Sequence, residues 1–198
     1  EMINHSKSVR LGVKKSLMVV DMPFKTYDTN KSALKNAKKI MKETKCDAVK
    51  LEGGKKIIKQ VKFLIKNNIP VMGHLGLLPQ TAKGKFRSKG KTDREKKQLL
   101  DDALLLQDVG VFSIVLECVK SSIAKQITKD LKIPTIGIGS SVHCDGQVLV
   151  TDDLIGLNHT NIKFVKKFLN VKKYINSGLK KFAFEVRSKR YPTKKHSY

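Results

Sequence analysis

The chain has 198 residues, 41 Lys+Arg against 17 Asp+Glu, and a formal net charge of +24. That length holds one domain with a real core, and 40% hydrophobic with 29% charged residues is a globular balance, which excludes a disordered tail. No uncharged apolar stretch approaches the roughly 18 residues of a membrane span and no signal-peptide pattern opens the chain, so no membrane partner is expected.

Residues 1–12 have helical spacing, with Met2, Ile3 and Val9 on the apolar side and Gly12 as a stop. The opening Glu1-Met2-Ile3 does not read as a natural N-terminus, so residues upstream are expected. Residues 17–20 are a continuous apolar run that leaves through Asp21-Met22-Pro23-Phe24, a buried strand closed by proline. Thr29 or Asn30 then caps a helix to about Thr44, with Ala33, Leu34, Ala37, Ile40 and Met41 inward. The next strand, 48–51, carries Lys50, and Glu52 follows just before the glycine pair Gly53-Gly54. Side chains two apart on a strand share a face, so Lys50 and Glu52 project together, either as an ion pair under a loop or as part of a site.

A helix over 57–67 precedes a strand over 69–75, which contains His74 and leaves through Gly76-Leu77-Leu78-Pro79-Gln80. A basic, glycine-containing loop, 81–92, interrupts the rhythm. The segment to Val109 is helical, and Gly110 ends it. A strand over 112–116 ends in Glu117-Cys118, a helix covers 121–131, a strand covers 133–138, and a shorter one is predicted over 147–150. From about 160 to 198, Phe168, Tyr174, Ile175, Leu179, Phe182 and Phe184 mark two or three closing helices, with a loose polar tail over 191–198.

Alternating strands and helices with near-continuous apolar strands mean a parallel sheet covered on both faces. A (β/α)8 TIM barrel and an open doubly wound sheet both fit. No G-x-G-x-x-G follows a strand, so a dinucleotide site has no support. About six strands are present, about two short of a barrel, and the deficit fits a single (β/α) barrel domain over 1–198 that lacks its first part.

The positive charge is mostly lysine spread along the predicted helices, as at Lys35, Lys38, Lys39, Lys42, Lys59, Lys62 and Lys66. A dedicated nucleic-acid site concentrates arginine with interleaved aromatics, and aromatics are 6%. No specific nucleic-acid partner is expected, only non-specific polyanion affinity. Cys46, Cys118 and Cys144 are odd in number and widely spaced. That argues against a disulfide framework or zinc knuckle and fits the reducing cytoplasm.

The polar residues ending the apolar strands are Asp21, Lys50 with Glu52, His74 and Glu117. Singly, Asp21 could cap a turn, His74 could be a satisfied core histidine, and Glu117 could pair with a lysine. Parallel α/β folds do chemistry at the C-terminal strand ends, and four successive strands delivering ionisable groups there point to an enzyme. Asp21 and Glu52 offer hard oxygen ligands of the kind Mg²⁺ takes. Lys50 suits an anionic substrate, and Glu117 suits a general base. A metal chelating an α-keto acid acidifies the adjacent C–H, so the expected chemistry is a Mg-chelated enolate that makes or breaks a carbon–carbon bond.

The same segments carry a resemblance. D-M-P-F-x-x-Y from Asp21, V-K-L-E-G-G from Val49, G-H-L-G-L-x-P-Q from Gly73, L-E-C-V from Leu116, I-P-x-I-G-I-G from Ile133 and D-G-Q-V-L-V-x-x-D from Asp145 occur in order. Together they resemble the ketopantoate hydroxymethyltransferase (3-methyl-2-oxobutanoate hydroxymethyltransferase) family across nearly the whole chain. The resemblance implies a barrel of the phosphoenolpyruvate/pyruvate type and transfer of the one-carbon unit of 5,10-methylenetetrahydrofolate to 3-methyl-2-oxobutanoate. The product would be 2-dehydropantoate, for pantothenate and coenzyme A synthesis. It further implies Asp21 on Mg²⁺ and the keto acid, Lys50 on the keto acid, Glu52 on the metal, Glu117 as proton acceptor, His74 in a supporting role, and a decameric assembly.

The chain departs from the family pattern in places. A Gly-Asp-Ser motif of the second strand, which would add a metal ligand, precedes the first residue here. The loop after Gln80 lacks the family's asparagine and Gly-Gly-Tyr and instead carries Lys83, Lys85, Arg87, Lys89 and Lys91, either to meet folate glutamates or as a solvated charge run. Two rival readings are another Mg²⁺-dependent keto-acid lyase or aldolase of the same superfamily, and an inactive truncated barrel with polyanion affinity.

Overall fold

A computed structural model describes residues 1–82, 87–158 and 162–198. Lys83 and Lys85 of the basic loop lie outside the described residues. The chain divides into two compact units, Glu1–Val148 and Leu149–Tyr198.

In the first unit, strands β1 (Val19–Asp21), β2 (Ala48–Glu52), β3 (Val71–Gly76), β4 (Ser113–Glu117), β5 (Thr135–Ile138) and β6 (Gly146–Gln147) form one sheet in chain order. Each neighbouring pair is parallel. A doubly wound sheet reverses its strand order at a switch point; this one never does, so of the two closures the sequence allows, the winding is that of a barrel wall. Helices α1 (Met2–Gly12), α2 (Asn30–Thr44), α3 (Ile58–Lys66), α4 (Asp93–Asp108) and α5 (Ser121–Asp130) alternate with the strands.

Local chemistry explains the boundaries. Thr29 opens α2 with a capping box: its side chain accepts from Ser32 N, and the Ser32 hydroxyl accepts from Thr29 N, each at 3.1 Å. Thr92 opens α4 by accepting from Glu95 N at 3.2 Å, and Glu95 reaches back to the Gly90 and Lys91 amides at 3.0 and 2.9 Å. Val49 and Leu51 on β2 and Ile114 and Leu116 on β4 pack with Val61, Leu64 and Leu106 in a fully buried core. Each contributes about 1.5–3 kcal/mol by leaving water. That packing fixes the strand register and hence where the opposite faces of the strands point.

The strand predicted over 147–150 is shorter. Val148 N still donates to Gly137 O at 3.0 Å, but the Val150 carbonyl is taken by Leu154 N at 2.9 Å, so the backbone turns into helix α6 (Thr151–Leu154). In the second unit, α7 (Val171–Arg187) has the predicted apolar stripe, yet none of its residues is buried. Tyr174, Ile175, Leu179 and Phe182 are all exposed. Where the polar tail begins, the Tyr191 ring meets Phe182 edge-on at 5.6 Å, and the Arg190 guanidinium lies 5.3 Å from the Phe184 ring. Among the described residues, no helix is long and apolar enough to cross a membrane.

Candidate functional site

Asp21, Glu52 and Glu117 close β1, β2 and β4, and Lys50 and His74 lie within a residue or two of their strand ends. Parallel pairing sets Asp21 beside Lys50, Glu52 beside His74 and Gly76 beside Glu117. All five predicted residues therefore meet at one edge of the sheet. Lys50 Nζ lies 3.2 Å from Asp21 Oδ1 and 3.0 Å from His74 Nδ1. His74 Nε2 lies 2.9 Å from the Leu77 carbonyl and 3.3 Å from Glu117 Oε2. A carbonyl can only accept, so Nε2 carries the hydrogen and Nδ1 accepts from the Lys50 ammonium. The result is a row of neighbouring side chains, Asp21–Lys50–His74–Glu117, in which the Nε2–H goes to the Leu77 carbonyl and Glu117 lies beside it. The Asp21 side chain is 44% exposed, whereas those of Lys50 and His74 are 14% and 3% exposed, so Asp21 is the end open to a ligand.

Glu52 shares a face with Lys50 but does not form the simple ion pair the spacing allowed. Its Oε2 accepts from the backbone N–H of Gln80 at 3.0 Å. The Gln80 side chain donates to the Met22 carbonyl at 2.9 Å and accepts from the Tyr27 hydroxyl at 2.8 Å. Burial pushes the Glu52 carboxyl above its ordinary value, and the Asp21 charge adds to this. The Gln80 amide, His74 and Lys50 oppose the rise without cancelling it. The Tyr27 phenol is also pushed up, chiefly by burial.

Gln80 and Tyr27 sit inside the recognised motifs, but their part in the site was not predicted. Neither was that of Asp102, a buried carboxylate on α4 whose Oδ1 accepts from Lys55 N at 2.8 Å. Asp102 explains the second glycine of the pair, since a Cβ on Gly54 would overlap its carboxylate. The signal was present in the buried side of the Asp101-Asp102 pair, but only the third dimension identifies its target. Gly76 is explained similarly: φ is +99° and a Cβ would strike the Glu117 carbonyl, which Leu77 N holds at 2.8 Å.

The described end of the basic loop is tied to the end of β4. Lys89 N donates to the Cys118 carbonyl at 2.8 Å, and Lys120 N donates to the Lys89 carbonyl at 2.9 Å. A cavity of about 470 Å³ opens between the β2 and β3 ends and α4, lined by Tyr27, Glu52, Gly54, Leu78, Lys89 and Asp102 among others. Of the predicted site residues, only Glu52 reaches it.

The donor set fits Mg²⁺ in kind. Asp21 and Glu52 are hard oxygen ligands on adjacent strands, and the only hydrogen bond Glu52 accepts among the described residues falls on Oε2. Among the described residues no group of three or more His, Cys, Asp or Glu is placed to hold a metal ion. Mg²⁺ is an ion that completes its shell with water and substrate oxygens.

The profile described as "Ketopantoate hydroxymethyltransferase" matches residues 1–194. The 3-methyl-2-oxobutanoate hydroxymethyltransferase of Pelagibacter ubique (strain HTCC1062) is 66% identical over 197 residues, covering 100% of this chain and 76% of the relative. Its namesake in Clostridium botulinum (strain Alaska E43 / Type E3) is 47% identical over 202 residues, covering 100% and 74%. That of Pyrobaculum arsenaticum (strain DSM 13514 / JCM 11321 / PZ6) is 45% identical over 199 residues, covering 99% and 75%. With a profile match over nearly its whole length and an identity far above chance, the chain belongs to the ketopantoate hydroxymethyltransferase family.

Proposed function

We propose that this chain transfers the one-carbon unit of 5,10-methylenetetrahydrofolate to 3-methyl-2-oxobutanoate, giving 2-dehydropantoate for pantothenate and coenzyme A synthesis. The names of its relatives support the reaction. The observation that carries the roles is the row of neighbouring side chains Asp21–Lys50–His74–Glu117 with Glu52 alongside. In outline, C3 of the keto acid loses a proton, its electron pair forms a carbon–carbon bond to the methylene carbon, both C–N bonds of the methylene bridge break, water supplies the hydroxyl, and the C3 proton and the remaining water proton end on the two nitrogens of the departing tetrahydrofolate.

Glu117 is the base that takes the C3 proton, and its carboxylate lies 3.3 Å from His74 Nε2. Lys50, steadied between Asp21 and His74, holds the substrate carboxylate. Asp21 and Glu52 hold Mg²⁺, with Asp21 also facing the keto acid. When bound there, Mg²⁺ withdraws electron density from the keto-acid oxygens and so acidifies C3–H. His74 is a supporting residue that holds Lys50 and is itself held by the Leu77 carbonyl.

The sheet is read as the larger part of a phosphoenolpyruvate/pyruvate-type (β/α)8 barrel, its six sequential parallel strands supporting that assignment. Self-association, a decamer by resemblance, is supported by the uncovered apolar stripe of α7. A cytoplasmic location is supported by three free, buried cysteines. The test is Mg²⁺-dependent exchange of the C3 proton of 3-methyl-2-oxobutanoate into heavy water, followed by NMR. Exchange in the parent that Glu117→Gln leaves unchanged removes Glu117 from the role of base.

A further inference from the structure

We propose that Gln80 is a positioning residue that sets the separation of the Asp21 and Glu52 carboxylates, with Tyr27 locking it in place. Gln80 touches three different segments near the ends of β1 and β2. Its backbone N–H donates to Glu52 Oε2 at 3.0 Å, its Nε2 donates to the Met22 carbonyl at 2.9 Å, and its Oε1 accepts from the Tyr27 hydroxyl at 2.8 Å. Met22 directly follows Asp21, and its own N–H is tied to the Lys50 carbonyl at 3.0 Å. One residue therefore links the backbone beside Asp21, through its side chain, to the carboxylate of Glu52, through its N–H.

The anchor itself is stiff. Pro79 restricts the backbone just before Gln80, and the Thr81 and Ala82 amides close the turn on the Leu78 carbonyl at 3.1 and 2.9 Å. Tyr27 is buried, so its hydroxyl gives the Gln80 amide a fixed partner and a single orientation. Outer hydrogen-bond partners of metal-binding carboxylates typically change metal affinity by about 10–100-fold when removed. Gln80 contacts no reacting atom, and its influence passes through Glu52 and the Asp21–Met22 backbone.

This inference rests on the Mg²⁺ reading above, and the experiment separates the two. Mg²⁺ binding to the full chain is measured by calorimetry for the parent, Gln80→Met and Tyr27→Phe. Gln80→Met keeps the N–H that Glu52 accepts but releases the anchor to Met22 and Tyr27; it is expected to weaken binding by about 10-fold, the low end of that range, and Tyr27→Phe to weaken it less, in the same direction. The Mg²⁺ concentration for half-maximal C3 exchange is expected to rise in step, with the rate at saturating Mg²⁺ retained; a merely structural defect lowers that rate without moving the Mg²⁺ requirement. If Gln80→Met does not fold, Tyr27→Phe, which keeps the buried ring, decides alone. Parent-like binding in the variants that fold overturns the role of Gln80 and leaves the metal reading standing. A parent that binds no Mg²⁺ overturns both.

Discussion

The two arms of the site are held by different means. One arm, Asp21–Lys50–His74–Glu117, is side chain to side chain, with charged groups at both ends and an imidazole between. The other, Glu52–Gln80–Tyr27, is a buried carboxylate held by a peptide N–H and a relay of neutral hydrogen bonds. Charged side chains can exchange partners when an anionic substrate arrives, and a proton can move to or from Glu117 without disturbing the backbone. A carboxylate held by a stiff turn cannot shift as easily, which suits a fixed ligand. The Glu117 and Glu52 carboxylates thus stand on separate supports, and loss of the Glu117 carboxyl should leave Glu52 held as before.

Glu117→Gln is the severest test of that separation. It removes a general base, a change that costs about 10²–10⁴ in rate, while Mg²⁺ affinity, assigned to Asp21 and Glu52 and not to Glu117, is expected to stay at the parental value. Calorimetry alongside C3 exchange checks both; a matching loss of metal binding would mean the arms are one unit. Next in size is Lys50→Met, which removes the ammonium but keeps the stem. Charge-assisted hydrogen bonds are worth about 1.5–3 kcal/mol, so the dissociation constant for 3-methyl-2-oxobutanoate is expected to rise about 10–100-fold. Unchanged keto-acid binding would exclude Lys50 as the anchor.

The two arms were not equally legible in the sequence. The first could be read because each of its residues interrupts or closes an otherwise apolar strand, and parallel pairing brings such residues to one edge whatever the loops do. Glu52 was visible for the same reason, but its partners were not. Gln80 reaches it from a turn, and Tyr27 reaches Gln80 across 53 positions of sequence, so no period or spacing carries that information. Asp102 was hidden because one acidic residue on an amphipathic helix looks like another until the Gly54 backbone is packed against it. The strands and helices of the first unit followed hydrophobic periodicity because their apolar faces are buried against one another. The α7 stripe shows that periodicity gives the helix but not what covers it.

A smaller effect tests the second arm without metal or substrate. Burial raises the Glu52 carboxyl, so the folded state holds its proton to a higher pH than the unfolded chain does. Stability associated with that proton is present at low pH and is lost as pH rises from the ordinary carboxylate range through the raised folded value. Glu52→Gln removes this titration while keeping an acceptor for Gln80 N–H. Its Tm without Mg²⁺ is expected to exceed the parental Tm near neutral pH. The advantage should shrink as the pH falls below 5 or so, where the free carboxyl also protonates. A constant difference across that range would mean that Glu52 carries no such penalty.

The smallest effect reports on the first arm through its neighbour. Cys118 is buried directly after Glu117, and its thiol is pushed above its usual value first by burial and then by the Glu117 charge. The thiolate is the species that reacts with alkylating agents, so Cys118 in the folded parent should react slowly with iodoacetamide at neutral pH. Glu117→Gln removes the second cause and leaves the first, so alkylation should quicken by a small factor while remaining well below that of the unfolded chain. Mass spectrometry of the Cys118 peptide over time reads this directly, with buried Cys46 as an internal control far from the change. The comparison bears on mechanism because a carboxyl that slows its neighbour in this way must itself be ionised, which is what a proton acceptor requires. Equal Cys118 rates in parent and variant would indicate a neutral Glu117 in the resting protein and would move the base role elsewhere on the path.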